Sequence, residues 1–156
     1  MKRYYIAYGS NLNVLQMRFR CPQAKVCGTA TLKGWELLFK GSGTGAYLTI
    51  EPCEDGKVPV VIWEVTEDDE AALDRYEGYP SFYYKKEIKV RYKGIRTGRL
   101  RTVTAFAYIM HEERSIGIPS DAYMRTCLEG YRTFYFDKAV LFRAYTKCGR
   151  LIENEI

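Results

Sequence analysis

The sequence is short of the residue types that most enzyme mechanisms recruit. Its 156 residues contain a single histidine, His111. A Ser-His-Asp or Cys-His mechanism would rest on that one ring, and a metal site built on several histidines is excluded. Acid–base chemistry near neutrality therefore falls to a carboxylate or a tyrosine. The five cysteines, at positions 21, 27, 53, 127 and 148, are odd in number and never spaced as C-x-x-C. Neither a disulfide framework nor a zinc knuckle is favoured, and reduced thiols are expected. No apolar run approaches the roughly 18 residues that would mark a membrane span. The opening MKRYYIAYG has no sustained apolar stretch and no small-residue cleavage site, so a cytoplasmic chain with no membrane segment is expected. Low-complexity linkers and internal repeats are also missing, and residues 1–156 are read as a single domain.

What is present is a soluble, globular composition, 47% hydrophobic and 28% charged. Tyrosine is abundant, with 14 residues against 7 phenylalanines. Many half-buried rings with polar tips fit a β-rich domain with a lined cleft. The formal charge of +5 is unevenly spread: residues 85–101 hold eight Lys or Arg and one acid, Glu87.

Residues 3–8 read as a strand and 13–19 as a short helix that stops ahead of Pro22. Residues 24–40 alternate as one long strand or two, with Gly28 and Gly34 as candidate bulges. The glycine-rich stretch 41–45 reads as a flexible loop, a flap over a cleft or a plain surface turn. Asp55-Gly56, between AYLTIEP and VPVVIWEV, predicts a hairpin. Thr66 is a helix N-cap with acids at 67–70 behind it, and the helix is expected to end near Gly78-Tyr79-Pro80. A second hairpin, FYYKKEIKVRY and LRTVTAFAYIM, surrounds KGIRTG. Ser120 caps a helix over 121–134, and a last helix covers 137–148. Strands follow strands through hairpins, so the class is α+β, with a mostly antiparallel sheet curling into a small barrel beside helices.

Three constellations are candidates for chemistry. In Tyr8-Gly9-Ser10-Asn11-Leu12 a strand ends in glycine and leads to a helix start. Such a loop can offer main-chain N–H groups to a carboxylate or an oxyanion. It can equally be a turn with Asn11 as a cap. Asp74 and Glu77 stand three residues apart on one helix face. Glu77 is a usable general acid and base if an aromatic pocket desolvates it, and a plain solvated side chain otherwise. Tyr123, in the first turn after Ser120, either faces a cleft or packs.

Together, YGSNL after the first strand, L-D-x-x-E-G over Leu73–Gly78 and P-S-x-x-Y at Pro119–Tyr123 resemble the γ-glutamylcyclotransferase superfamily, over residues 4–131. The resemblance implies a small mixed β-barrel with helices and an enzyme that cleaves a small-molecule γ-glutamyl amide, releasing 5-oxoproline without a cofactor or metal. It maps the catalytic glutamate onto Glu77, and substrate binding onto Tyr8, Gly9, Ser10, Asn11, Leu12 and Tyr123. Family members often form dimers, so it also admits a homodimer.

Two other functional classes compete. One is a binding module on the same fold without catalysis. The other is nucleic-acid binding through residues 85–101, where Lys85, Lys89, Arg91 and Lys93 share a strand face opposite Ile88, Val90 and Tyr92. That pattern is better read as the solvated side of a hairpin, and no nucleic-acid partner is expected. Within the enzyme class, the leaving amine is open: an amino acid, a peptide, an isopeptide or a biosynthetic intermediate.

Overall fold

A computed structural model describes residues 2–42 and 45–155. Strand β1 (Arg3–Ala7) leads through a 3-10 turn (Ser10–Leu12) into helix α1 (Val14–Arg20). Two long strands follow, β2 (Lys25–Ser42) and β3 (Gly45–Val65), then helix α2 (Glu67–Glu77). Strands β4 (Tyr83–Gly94) and β5 (Leu100–Met110) precede helices α3 (Asp121–Thr133) and α4 (Lys138–Glu155). The strands close into a barrel in the order β1-β3-β2-β4-β5. All pairings are antiparallel except β1 with β5, which meet in parallel at Tyr5 and Phe106. The class is therefore α+β with a mixed, mostly antiparallel barrel. Inside it, Ile6, Phe39, Leu48, Ile50, Ile62 and Phe106 form part of one continuous buried core. Among the described residues no helix is long and apolar enough to cross a membrane.

The α2 boundaries follow from local chemistry. Thr66 Oγ1 accepts the Asp69 N–H at 3.1 Å, and Asp69 Oδ2 accepts the Thr66 N–H at 3.1 Å. This reciprocal pair satisfies two orphan donors, and four acids in the first turn complement the helix dipole. Gly78 ends the helix in the left-handed region at φ 63°, a conformation that favours glycine. That end is what delivers Glu77 to the barrel.

The Asp55-Gly56 hairpin is not formed. Strand β3 runs straight through it, and the β2–β3 turn lies at its start, with Ser42 paired to Gly45. Lys33 pairs with Lys57 and Trp35 with Pro52, so the four residues Cys53–Gly56 bulge opposite Gly34 alone. A Cβ on Gly56 would lie 2.1 Å from the Trp35 carbonyl oxygen. The glycine marks a close approach of two backbones, which gives the same sequence signature as a tight turn. Gly28 and Gly34 do sit at the register shifts of β2.

The glycines at 41 and 45, expected in a flexible loop, lie in strands. Gly41 and Gly45 belong to the ladder, Gly41 N–H donates to Ser115 O at 2.9 Å and Ala46 N–H to Ile118 O at 3.3 Å. Gly43 lies outside the described residues. Helix α4 continues to Glu155, past the expected end at 148. No proline follows Cys148, and a single interior glycine such as Gly149 costs only about 1 kcal/mol. In the basic hairpin Lys89, Arg91 and Lys93 are exposed over Val90 and Tyr92, as a solvated face requires. Lys85 departs from that face: its amine sits 2.6 Å from Glu70 and 2.8 Å from Asp74.

Candidate active site

One end of the barrel holds a cavity of about 320 Å³. Its wall is made by the β1–α1 loop at Tyr8–Asn11, the last turn of α2 at Arg75–Gly78, and tyrosines from several other elements. Glu77 and the Tyr8–Asn11 loop, separated in the chain by two long strands and two helices, thus face the same space.

Glu77 is half-buried, and its carboxyl has no hydrogen bond or ion pair among the described residues. Burial pushes its pKa up to about 8, against a smaller opposing pull from the Arg20 guanidinium. A carboxyl that keeps its proton near neutrality can both take and return one. The surrounding hydroxyls stay protonated. Burial first, and the nearby Glu77 charge second, hold Tyr5 and Tyr8 well above the ordinary tyrosine value. Burial does the same for Tyr123. The Cys127 thiol, fully buried in α3, is pushed up to about 12, so it is not a ready nucleophile. His111 lies away from this wall, with Nε2 2.8 Å from the Pro80 carbonyl.

A second set of contacts holds α2 against the barrel. Tyr108 Oη donates to Asp74 Oδ1 at 2.6 Å, Lys85 bridges Asp74 and Glu70, and Arg3 Nε meets Glu70 at 2.7 Å. Because its hydrogen is committed to Asp74, Tyr108 presents its oxygen as an acceptor. Asp74 and Glu77, expected on one face, therefore divide the work: Asp74 binds the barrel and Glu77 enters the cavity.

The other sequence candidates are placed as follows. Tyr8 is buried and its hydroxyl donates to Tyr108 O at 2.5 Å. Gly9 passes so close to α3 that a Cβ would lie 3.2 Å from Tyr123 Oη. Ser10 Oγ is 3.1 Å from Tyr76 Oη. Asn11 lines the wall, but its side chain is occupied: Nδ2 donates to Tyr5 Oη at 2.9 Å, and Oδ1 accepts from Arg20 at 2.6 Å. It does not cap α1. Asn13 does, accepting the Gln16 N–H at 3.2 Å. Leu12 is outside the cavity, fully buried against Gly130, and its N–H is used by Gly9 O at 3.0 Å. Tyr123 reaches the cavity from α3, and its hydroxyl accepts the Leu48 N–H at 3.1 Å.

Sequence reasoning missed Arg75, Tyr76, Tyr83 and Tyr108 on this wall. The surplus of tyrosine was the available signal, but choosing which of 14 turn inward needs the barrel's closure.

A family model described as "Gamma-glutamyl cyclotransferase, AIG2-like" matches residues 5–125, a span that contains the loop, Glu77 and Tyr123. The chain belongs to this family. A mouse protein named γ-glutamylcyclotransferase is 31% identical over 134 residues, covering 81% of this chain and 68% of that one. The crystal structure of an uncharacterized human protein superposes with a TM-score of 0.74 at 27% identity, covering 85% of this chain and 80% of the other. A structure named γ-glutamyl cyclotransferase superposes with a TM-score of 0.75 at 24% identity, covering 96% and 87%, and bears on the fold alone. The barrel described above is the γ-glutamyl cyclotransferase fold.

Proposed function

We propose that this family member is a cyclotransferase acting on a small γ-glutamyl amide and releasing 5-oxoproline and an amine. The observation that carries this reading is Glu77, its pKa raised to about 8 by burial, in one cavity with the Tyr8–Asn11 loop. The substrate's α-amine attacks its own γ-carbonyl carbon. A new C–N bond closes the five-membered ring, and the carbonyl oxygen carries the developing charge. Glu77 takes a proton from the attacking nitrogen and returns it to the leaving nitrogen as the original amide C–N bond breaks. No water is consumed and no enzyme nucleophile is needed, because the attack is intramolecular and gains from proximity. No cofactor or metal enters these steps.

The main-chain N–H groups of Gly9, Ser10 and Asn11 are the donors proposed for the oxyanion and the substrate carboxylate. Tyr108, acceptor-only through its bond to Asp74, suits an amine N–H. Tyr123 brings its hydroxyl to the same cavity while accepting the Leu48 N–H. Glu77 also argues against binding without chemistry, since an idle carboxyl beside a ligand carboxylate repels it once ionised.

The test is 5-oxoproline release from a panel of γ-glutamyl amides. With Glu77 as the base, kcat/KM rises with pH along a limb centred near 8, because only the ionised carboxylate accepts the proton. A limb near 4.5, or no turnover on any panel member, overturns the assignment. Ser10→Ala removes one hydroxyl contact, to Tyr76, and leaves the main chain in place. It is expected to lower kcat/KM by about tenfold or less. A loss of a thousandfold would show that the Ser10 side chain, and not the loop backbone, handles the substrate.

A further inference from the structure

We infer that Arg20 is a positioning residue: from outside the cavity wall, its guanidinium ties the Tyr8–Asn11 loop to the end of α2 that carries Glu77, and it supplies a fixed positive charge near that carboxyl. The inference rests on the cyclotransferase reading and concerns what supports the same site. Arg20 is the last residue of α1, half-buried, and does not itself line the cavity. One guanidinium nitrogen donates to Asn11 Oδ1 at 2.6 Å and the other to Gln16 Oε1 at 2.7 Å. The same planar group lies 3.5 Å over the Tyr76 ring. Tyr76 directly precedes Glu77, and its hydroxyl is 3.1 Å from Ser10 Oγ. One side chain thus touches two parts of the cavity wall, the loop through Asn11 and the helix of the base through Tyr76. A guanidinium suits this task, because its fork donates in its own plane while its face stacks on a ring.

The charge has little competition at Glu77. The cavity wall shared with that carboxyl holds Tyr5, Tyr8, Tyr76, Tyr83, Tyr108 and Tyr123, from β1, the loop, α2, β4, β5 and α3. Burial, as the largest cause, holds each of these six above the ordinary tyrosine value, so they are neutral where Glu77 titrates. Strand β3 adds Tyr47 to the same wall. On α2 itself Asp74 is paired with Lys85, and Arg75 is exposed, where solvent screens it. Burial favours the protonated form of Glu77, and the Arg20 charge opposes it. Removing that charge makes the proton-accepting carboxylate scarcer near neutral pH. A cation in the last turn of α1 also suits the helix dipole, but that use alone predicts a change in stability and none in the pH profile.

The experiment records the pH profile of kcat/KM for wild type, Arg20→Gln and Arg20→Lys on the panel's best γ-glutamyl amide. In the same proteins the Glu77 carboxyl is titrated by carbon NMR, its signal assigned by its loss in Glu77→Gln. Wild type is expected to show its limb near 8. In Arg20→Gln the limb should move up by about one pH unit or more, the scale of an opposite charge at close range. That shift lowers kcat/KM at neutral pH by about tenfold. The plateau above the limb should fall as well, because the loop and the helix end are no longer held together. Arg20→Lys keeps the charge but loses the fork and the flat face, so its limb should stay close to that of wild type while its plateau stays low. An unmoved limb in Arg20→Gln overturns the inference. So does a wild-type plateau in Arg20→Lys, which would leave the fork no positioning role. The carboxyl titration separates this inference from the reaction. If none of the proteins releases 5-oxoproline but Glu77 titrates higher in Arg20→Gln than in wild type, Arg20 stands and the cyclotransferase reading falls. No turnover and no difference in titration would sink both.

Discussion

Glu77→Gln is expected to abolish 5-oxoproline release and, above mildly acidic pH, to make the protein more stable. One cause produces both effects. The substitution keeps the shape of the side chain and removes the titrating carboxyl. Loss of general acid–base catalysis lowers kcat by roughly 10²–10⁴-fold. The stability effect comes from the same desolvation. In the unfolded chain the carboxyl ionises at its ordinary value of 4.5, whereas in the fold it holds its proton to about 8. Across that window the folded state binds the extra proton, so stability falls as pH rises. The loss is fully developed at about 8, and wild type carries none of it below 4.5. At pH 7 it amounts to something on the order of 3 kcal/mol. Glutamine has no proton to hold, so its advantage over wild type should be small at pH 5, grow toward pH 8 and then level off. Urea unfolding of both proteins at a series of pH values reads this directly. A constant difference across the series would mean that the carboxylate is solvated. A growing difference with turnover intact would mean that a desolvated glutamate is present but moves no proton.

That single residue shows which parts of the molecule are legible in sequence. The helix carrying Glu77 was readable from Thr66 to Gly78, because caps and dipole partners act within one turn of chain. The glutamate's desolvation was not, since the rings around its cavity come from five other elements. Tyr108 is one example: its strand alternation shows that it shares a face with Phe106, but only closure of β5 onto β1 puts that face beside α2. Asp55-Gly56 failed for a related reason. The dipeptide fits a tight turn and a crowded bulge alike, and the Trp35 backbone that decides between them is about twenty residues away in sequence. The alternative reading of Asn11 as a cap fails because a 3-10 turn over Ser10–Leu12 inserts itself between strand and helix, so that Asn13 caps α1 and Asn11 does not. The loop's role as wall survives that insertion, but Leu12 is carried out of the cavity and into the contact with α3.

That contact yields the second large expected effect. Gly130→Ala should destabilise the protein and impair the site, although alanine is the better helix former. Gly130 lies within α3, where helix propensity alone would favour alanine by about 1 kcal/mol. A Cβ there would stand 2.5 Å from Leu12 Cβ, 2.8 Å from Leu12 C and 3.1 Å from Asn13 N. Two of those atoms are backbone, and Leu12 is fully buried, so neither side can give way by a rotamer change. Overpacking of this kind costs about 1–3 kcal/mol. The strain falls on the loop that lines the cavity and on the Asn13 bonds to Thr126 and Glu129, at 3.2 and 2.9 Å, which tie that loop to α3. A lower melting temperature should therefore come with a higher KM. Gly149→Ala is the control. It sits inside α4 with nothing within 4 Å of its would-be Cβ, so propensity acts unopposed and stability should rise by about 0.5–1 kcal/mol. Opposite signs for two glycine-to-alanine changes in helices would show that Gly130 is there for the approach of Leu12. If both variants gain stability, α3 does not pack on the loop as described, and the wall of the cavity is built differently.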